Sequence, residues 1–134
     1  MPAFRLLSLS LALLLAGVPA SPACAQDSDS TQLRRFQRAD ALMRSGDPER
    51  AIPLLEALYT EAPQNTAFYR KLKDAYESVK RYDEALRLVD ARIGDSPTVP
   101  LLTEKARLQY QKEAVQAANA TWDRALRLAP NTSQ

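Results

Sequence analysis

Residues that break helices recur in this chain at a nearly constant interval. The interval is about 34 residues, within the range of roughly 20 to 50 residues that is typical of repeat architectures, in which each unit stacks on the next. Three prolines have this spacing, and three alanines repeat it: Pro63, Pro97 and Pro130, and Ala51, Ala85 and Ala118. The period predicts three copies of one unit, at residues 32–65, 66–99 and 100–132. The second interval is one residue shorter than the first, so the third copy has lost one residue, in its first helix or in the turn after it.

The residues between the breakers have the periodicity of helices. Apolar side chains recur at spacings of three and four, as in Ala51, Leu54, Leu55 and Leu58, which is the pattern of an amphipathic helix with one buried face. No stretch of the sequence alternates apolar and polar residues as a half-buried strand would. Each unit is therefore predicted to be helix, turn, helix, and the fold class is all-α with about six helices.

The first 25 residues have the features of a secretory signal. Arg5 precedes a charge-free apolar run, Leu6 to Val18, and small residues follow this run. A positive start, an apolar centre and a small-residue end are the three regions of a signal peptide. The best cleavage site is Ala23-Cys24-Ala25, so we predict a signal peptide at 1–25 and a mature chain that begins at Gln26.

The signal also sets the predicted location of the protein. An apolar run of 13 residues is too short to cross a bilayer, which needs about 20, so we predict no transmembrane helix in the mature chain. The periplasm is the predicted location. Lipidation of Cys24, which would anchor a lipoprotein to the membrane, and secretion are the alternatives. Residues 26–31 are polar and are predicted to be a flexible lead-in.

The composition excludes most catalytic chemistry. The chain has no His, and its single Cys lies inside the predicted signal. The mature protein therefore has no thiolate nucleophile, no Ser-His-Asp relay, no disulfide and no zinc site of the usual ligands. We predict that the protein is not an enzyme and that it has no catalytic, cofactor-binding or metal-binding residues.

The charge of the chain gives no sign of a nucleic-acid partner. Lys and Arg number 18 against 16 Asp and Glu, a net charge of +2, which becomes +1 when Arg5 leaves with the signal. Basic and acidic residues are interleaved along every segment, whereas nucleic-acid-binding proteins concentrate positive charge on one face. We predict no nucleic-acid binding.

The repeats resemble the tetratricopeptide repeat family. Its first helix carries an aromatic residue, Leu, a small residue and Tyr, and its second helix carries Ala, an aromatic residue and a closing Pro. The middle copy fits best, with Lys73 in place of the small residue, whereas the first copy has Arg35 and Arg38 in place of the aromatic and Leu. The first helix of the third copy fits only after a shift of one residue. The residues that define the repeats, and that we expect in the core, are Ala51, Leu55, Pro63, Tyr69, Leu72, Tyr76, Ala85, Val89, Pro97, Tyr110, Ala118, Trp122, Ala125 and Pro130.

The resemblance implies a right-handed α-solenoid of three hairpins whose first helices line a concave groove for a peptide or protein segment. The predicted groove residues, of which those in the third copy are uncertain by one place, are Phe36, Asp40, Met43, Arg44, Arg70, Asp74, Glu77, Ser78, Glu104, Leu108 and Gln111. Some family members hold a peptide carboxylate with Lys and Asn at such positions. This chain has Phe36 with Asp40 and Arg70 with Asp74 there, so that carboxylate clamp is not supported.

The function implied by the resemblance is that of a non-catalytic protein–protein interaction module in the bacterial cell envelope. The identity of its protein or peptide partner cannot be read from the sequence. The alternative is a structural piece, either a solenoid that self-associates as a homo-oligomer or the N-terminal part of a longer repeat array. The last helix favours this alternative if Trp122, Ala125 and Leu126 form an apolar outer face. The opposing interpretation is that Trp122 points into its own hairpin and that this face is kept polar by Asp123, Arg124 and Arg127.

Two local features of the second helix of the first copy lead to further expectations. Asp47 followed by Pro48 is a good helix start, because the carboxylate can accept from free backbone N–H groups and Pro loses no hydrogen bond at the first position. Pro53 lies five residues further on, where it removes one backbone hydrogen bond, and we expect a local bend.

Overall fold

A computed structural model describes the backbone of residues 23–129 and the side chains from Asp29 onward. This part of the chain forms six helices and no strand, so the predicted all-α class is confirmed. None of these helices combines the length and apolar character needed to cross a membrane. Residues 1–22 of the predicted signal peptide, and Pro130, lie outside the described residues. The helices are α1 (Ala23–Arg44), α2 (Pro48–Glu61), α3 (Thr66–Ser78), α4 (Tyr82–Ile93), α5 (Val99–Gln111) and α6 (Val115–Leu128).

The first helix begins earlier than the sequence indicates. The flexible lead-in predicted at 26–31 lies inside α1, so that expectation is wrong. The 22 residues of α1 include neither Pro nor Gly, the two residue types that most disfavour a helix interior. The polar composition of this segment therefore does not end the helix.

The six helices form three hairpins stacked in chain order. Each helix packs against the next one along the chain, and α1 also contacts α3. The pairs α1–α2, α3–α4 and α5–α6 are the hairpins, and the contacts of α2 with α3 and of α4 with α5 join one hairpin to the next. Side chains from both helices of each hairpin meet in one core, in which Leu55, Leu72, Val89, Leu102 and Leu108 are almost completely buried.

All three hairpins have the same turn between their helices. Gly46, Lys80 and Glu113 have positive φ angles of 79°, 60° and 67°. In each turn the N–H of the following residue donates to a carbonyl five residues earlier, at 2.8 to 2.9 Å: Asp47 to Leu42, Arg81 to Tyr76 and Ala114 to Gln109. This is the bond of a Schellman motif, which ends a helix with a residue in the left-handed region. The three turns recur at the same two intervals as the alanines, so the period of the sequence is also a period of the backbone.

The residue missing from the third repeat is lost before α5 and not within it. Helices α3 and α5 both have 13 residues, with Asn65 and Thr98 as their N-cap residues. Helix α4 has 12 residues against 14 in α2, and the loop after α4 is one residue longer than the loop after α2. Pro63 therefore lies three places before the start of α3, whereas Pro97 lies only two places before the start of α5. The prediction that placed the loss in α5 or the turn after it is wrong, and the register of α5 moves by one residue.

Most of the residues expected to define the repeats are in the core. The buried ones are Ala51, Leu55, Tyr69, Leu72, Tyr76, Ala85, Val89, Ala118 and Ala125. Trp122 and Pro97 are half-buried, and Pro63 is exposed in the loop after α2. Tyr110 contradicts the prediction, since 57% of its surface is exposed; the shifted register of α5 turns this side chain out of the core.

The start of α2 differs from the expectation in one hydrogen bond. Pro48 is the first residue of α2, as predicted, but the Asp47 carboxylate caps no backbone N–H and pairs instead with Arg50 at 3.2 Å. An N-cap residue normally has an extended backbone, whereas Asp47 has a ψ of 61° in this turn. Helix α2 continues through Pro53, and the bend expected there stays a prediction.

Candidate protein-binding surface

The first helices of the three hairpins, α1, α3 and α5, are linked side by side through their side chains. We call the outward-facing side chains of these three helices the first-helix surface. It contains most of the residues predicted to line the groove. Its two junctions, α1 with α3 and α3 with α5, are built in different ways.

The junction of α1 with α3 combines an aromatic contact with one ion pair. The rings of Phe36 and Phe68 lie 5.3 Å apart, centroid to centroid. The Lys71 ammonium donates to Asp40 at 2.7 Å, and Arg44, one turn further along α1, approaches the same carboxylate at 3.1 Å. The hydrogen bond from Lys71 lowers the pKa of Asp40 below its ordinary value. This carboxylate therefore already has a cation from the neighbouring repeat.

The junction of α3 with α5 depends on a network of charges around Glu77. Both terminal nitrogens of Arg107 donate to the Glu77 carboxylate, at 2.7 and 2.9 Å, in the two-pronged geometry that favours this pair. Partial burial of Glu77 opposes its ionisation, but the hydrogen bonds from Arg107 and the charge of Lys73 outweigh it, so the pKa of Glu77 is lowered. Tyr69 adds a second link, since its hydroxyl donates to Glu104 at 2.8 Å.

Lys73 is buried in the middle of this network. Only 6% of the residue is exposed, and it occupies the position that Ala39 and Ala106 have in the other two repeats. Its ammonium lies 3.2 Å from Glu77, 3.5 Å from Asp74 and 3.6 Å from Glu104. A long side chain fits here because its stem packs in the core while its charged end reaches carboxylates. Lys73 departs from the small residue of the repeat pattern, and the fold places three carboxylates near its charge.

The structure corrects the groove residues predicted for α5. Leu108 is completely buried and cannot contact a ligand. In the corrected register Arg107 is the equivalent of Asp74, and the exposed Tyr110 is the equivalent of Glu77. The one-residue loss before α5 accounts for both differences.

The other predicted groove residues divide into three groups. Phe36 and Met43 are partly buried against the core, and Asp40, Glu77 and Glu104 are held in the junctions. The exposed residues are Arg44, Arg70, Asp74, Ser78 and Gln111. Sequence reasoning did not place Lys71, Lys73, Arg107 or Tyr110 on this surface; the one signal for Lys73 was its departure from the small residue of the repeat.

The outer face of α6, which we call the terminal face, is a second exposed region. An open cavity of about 310 Å³ lies between this face and α5, lined by Val99, Thr103, Trp122, Ala125, Leu126 and Ala129. Leu126 is 71% exposed, in accord with the expected apolar outer face. Trp122 also contacts its own hairpin, because its ring lies 6.0 Å from that of Tyr110. Both sequence interpretations of Trp122 therefore hold in part.

Neither surface has the features of a metal centre. No group of three or more His, Cys, Asp or Glu side chains that could hold a metal ion occurs within residues 29–129, the region with described side chains. The carboxylates that do approach one another around Lys73 are occupied by cationic or hydroxyl donors of the chain itself.

Comparison with known proteins identifies the repeats. Residues 42–102 match the family model described as tetratricopeptide repeat. This segment runs from the end of α1 to the beginning of α5 and contains the whole middle hairpin. No curated protein gives a significant match to the sequence. The helix hairpins, the repeated turns and this match over residues 42–102 together support a tetratricopeptide repeat protein.

Proposed function

We propose that this protein is a non-catalytic adaptor of the bacterial cell envelope that binds a segment of another protein along its first-helix surface. Tetratricopeptide repeats generally mediate protein–protein interaction. The finer elements of the proposal are the surface used, the compartment and the kind of segment bound, and each has its own support.

The observation that carries the proposal is the exposed ring of Tyr110. This ring is 57% exposed and follows Arg107 by one helical turn, so it lies beside the charge network of α3 and α5. Tyr is enriched in protein interfaces because a large rigid side chain buries much area at little entropic cost. An exposed tyrosine next to a rigid, ion-paired surface is a suitable anchor for a partner.

The charges of the surface indicate what a partner would bring. Glu77 and Asp40 are already paired with cations of the chain, whereas the Asp74 side chain is 57% exposed and only 3.5 Å from Lys73. Arg70 lies one turn earlier on α3 and is exposed. A bound segment would therefore place an apolar side chain against Tyr110. Along α3 it would carry both acidic and basic side chains, because α3 exposes charges of both signs.

Site-specific crosslinking in the native host tests the surface. A photoreactive amino acid at position 110 should give covalent adducts with a second protein, and the same group at Ala57, exposed on α2, serves as the control. Adducts at position 110 that are absent at position 57 support the proposal. Equal adducts at both positions, or none at position 110, contradict it.

Export is the second element of the proposal, and it rests on the signal-like residues 1–25. Intact-mass measurement of the protein from its native host tests it. A chain that begins at Gln26 in the periplasmic fraction supports export with cleavage, and an acylated chain that begins at Cys24 supports a membrane-anchored lipoprotein. A full-length chain in the cytoplasm contradicts both.

A structural role is the second candidate function, and the exposure of Leu126 on the terminal face favours it. In that case further helices or further copies would extend the solenoid. The crosslinking experiment separates the candidates, because adducts that contain only this chain would indicate a structural role and adducts with a different protein an adaptor.

A further inference from the structure

The second helices of the three repeats carry the same pair of side chains at equivalent positions. An acidic residue is followed three places later by a large apolar one, and the pairs recur with the period of the repeats: Glu56 and Tyr59 in α2, Asp90 and Ile93 in α4, Asp123 and Leu126 in α6. The first two pairs lie at junctions within the chain. The third lies on the terminal face.

At both internal junctions the first helix of the next repeat supplies a donor to the acidic residue of the pair. The Tyr76 hydroxyl of α3 donates to Glu56 at 2.6 Å, and the Lys105 ammonium of α5 pairs with Asp90 at 2.7 Å. The apolar partner Ile93 is only 8% exposed, and its equivalent Tyr59 is half-buried. The covering helix thus brings a donor for the carboxylate together with apolar surface.

Among residues 29–129, none gives the same pair on α6 such a donor or cover. Leu126, at the position of Ile93, is 71% exposed beside the cavity of the terminal face. Asp123 is exposed and has no ion-pair partner among the described residues. An uncovered apolar patch with an unpaired charge at its edge is typical of a contact surface.

The opposite end of the solenoid carries a matching charge. Arg38, Leu72 and Lys105 are equivalent residues of the three first helices, so Arg38 has in α1 the position that Lys105 has in α5. It is exposed and pairs with no carboxylate within the part of the chain that the structure describes. Placed against α6 as α5 is placed against α4, α1 of a second molecule brings Arg38 to Asp123.

We propose that the terminal face binds the outer side of α1 of a second copy of this chain, head to tail, with Arg38 paired to Asp123 and Leu126 covered. The contact repeats the junction of α4 with α5 between molecules. It uses a different surface from the adaptor site and does not depend on it. A head-to-tail contact between two copies leaves one terminal face and one α1 free, so further copies can add in the same way.

The contact is expected to be weak. Arg34 of α1 stands where α3 has Phe68 and α5 has Leu101, so the junction between copies has less apolar surface than the internal ones. Small and polar interfaces are typical of transient association. The association is therefore expected at micromolar and not nanomolar concentrations.

Two charge-reversal variants test the arrangement. Asp123→Arg reverses the charge on the terminal face and leaves α1 unchanged. Arg38→Asp reverses the charge on α1 and leaves the terminal face unchanged. In sedimentation of the purified protein as its host produces it, the average mass of the wild type should rise with concentration beyond that of a dimer. Each variant alone should associate at least tenfold more weakly. An equimolar mixture should regain association, with the two variants alternating, because the terminal face of each variant meets an α1 of opposite charge on the other.

A double variant and two leucine-to-serine substitutions complete the test. Arg38→Asp combined with Asp123→Arg in one chain should restore association, since the charges are exchanged. Leu126→Ser should weaken association at least tenfold, whereas Leu128→Ser, an exposed leucine two places further on α6, should leave it unchanged. All these positions are exposed, and circular dichroism checks that the variants fold.

Three results would overturn the proposal. A wild-type protein that stays monomeric up to millimolar concentration would show that no copy covers the terminal face. Undiminished association of Arg38→Asp alone would show that two terminal faces meet each other. Failure of the mixed variants to associate more strongly than either variant alone would show that positions 38 and 123 do not meet. Tyr110 lies near Trp122 of the terminal face, so adducts that contain only this chain can come from this contact, whereas adducts of position 110 with a different protein test the adaptor proposal separately.

Discussion

The first and middle repeats share one backbone but differ at two positions where the first repeat has a small residue. Ala39 and Gly46 in the first repeat correspond to Lys73 and Lys80 in the middle one. Lys73 is buried at a helix crossing and Lys80 has a φ of 60° at the turn. The architecture thus accepts a lysine at both places where the repeat pattern calls for the smallest side chains.

The two lysines are accommodated for different reasons. Lys73 depends on tertiary partners, because Glu77 lies one turn away on α3 and Glu104 comes from the next repeat. Lys80 depends only on its neighbours in the turn, whose hydrogen bond from Arg81 to Tyr76 holds the left-handed residue in place. The steric cost of a positive φ angle is offset within the turn itself. A buried charge, by contrast, is stable only where the fold brings carboxylates to it.

The largest effect is expected when the buried lysine is moved to a repeat without those carboxylates. Ala39→Lys should lower the free energy of unfolding by about 3 kcal/mol or more, since a buried charge without a partner is strongly destabilising. The residue four places later is Met43, where the middle repeat has Glu77. Urea denaturation measures the loss, and Ala41→Lys, exposed on the same helix, is the control that should change little. Similar losses for both variants would contradict the comparison.

Removal of the charge from the middle repeat should have a smaller effect. Lys73→Met keeps the apolar stem and should cost about 1 kcal/mol, less than for most broken buried pairs, because Arg107 and Tyr69 still satisfy Glu77 and Glu104. Arg70→Met, on the exposed side of α3, is the matched control. If Lys73→Met proves more stable than the wild type, burial of the ammonium costs more free energy than its ion pairs with the carboxylates contribute.

The acid sensitivity of the same network gives a third test. The pKa of Glu77 is lowered in the folded protein, so its contribution to stability is complete above the ordinary glutamate value, near 4.5, and is lost as the pH falls through the folded value. Glu77→Gln should therefore lose less stability than the wild type between pH 7 and pH 3. Urea denaturation at both values measures the difference, with Asp95→Asn, an exposed carboxylate, as the control. An unchanged pH dependence in Glu77→Gln would show that Arg107 and Lys73 do not favour the ionised form.

The turn should give the smallest effect and the opposite sign. Lys80→Gly should raise the free energy of unfolding by about 0.5 to 1 kcal/mol, since Gly adopts positive φ without the steric cost of a side chain. Gly46→Ala should lower it by a similar amount for the same reason, even though an added Cβ meets no atom within 4 Å. Thermal melting of both variants measures the two shifts, and shifts of the same sign would show that the φ angle does not decide them.

Much of the fold can be predicted from the sequence because the signals that determine it are local. The helices follow from apolar spacings of three and four, and the hairpins follow from the recurrence of Ala51, Ala85 and Ala118, all completely buried. These residues act within one helix or at the nearest crossing. Their pattern is therefore visible without any knowledge of the packing.

The register of α5 could not be obtained in this way. Helix α4 ends two residues earlier than α2 does and the loop after it is one residue longer, so Pro97 gives a misleading spacing. An error of one residue rotates a helix by about 100°, which exchanged the roles of Leu108 and Tyr110. The charge network could not be predicted from the sequence either, because Arg107 and Glu77 are 30 residues apart and meet only through the stacking of two repeats.

The links between first helices join only adjacent repeats, and this determines how the molecule should come apart. Tyr69 with Glu104 and Asp40 with Lys71 each cross a single junction, so each hairpin is held by its immediate neighbours. Among the three described hairpins of this one-dimensional array, the middle one has two stabilising interfaces and each outer one has one. Opening should therefore spread inward from both ends, and backbone amides of α3 and α4 should exchange with solvent last. The hairpin that carries the buried lysine is then the most slowly opening part of the solenoid, although its sequence departs from the repeat pattern at the very centre of its packing.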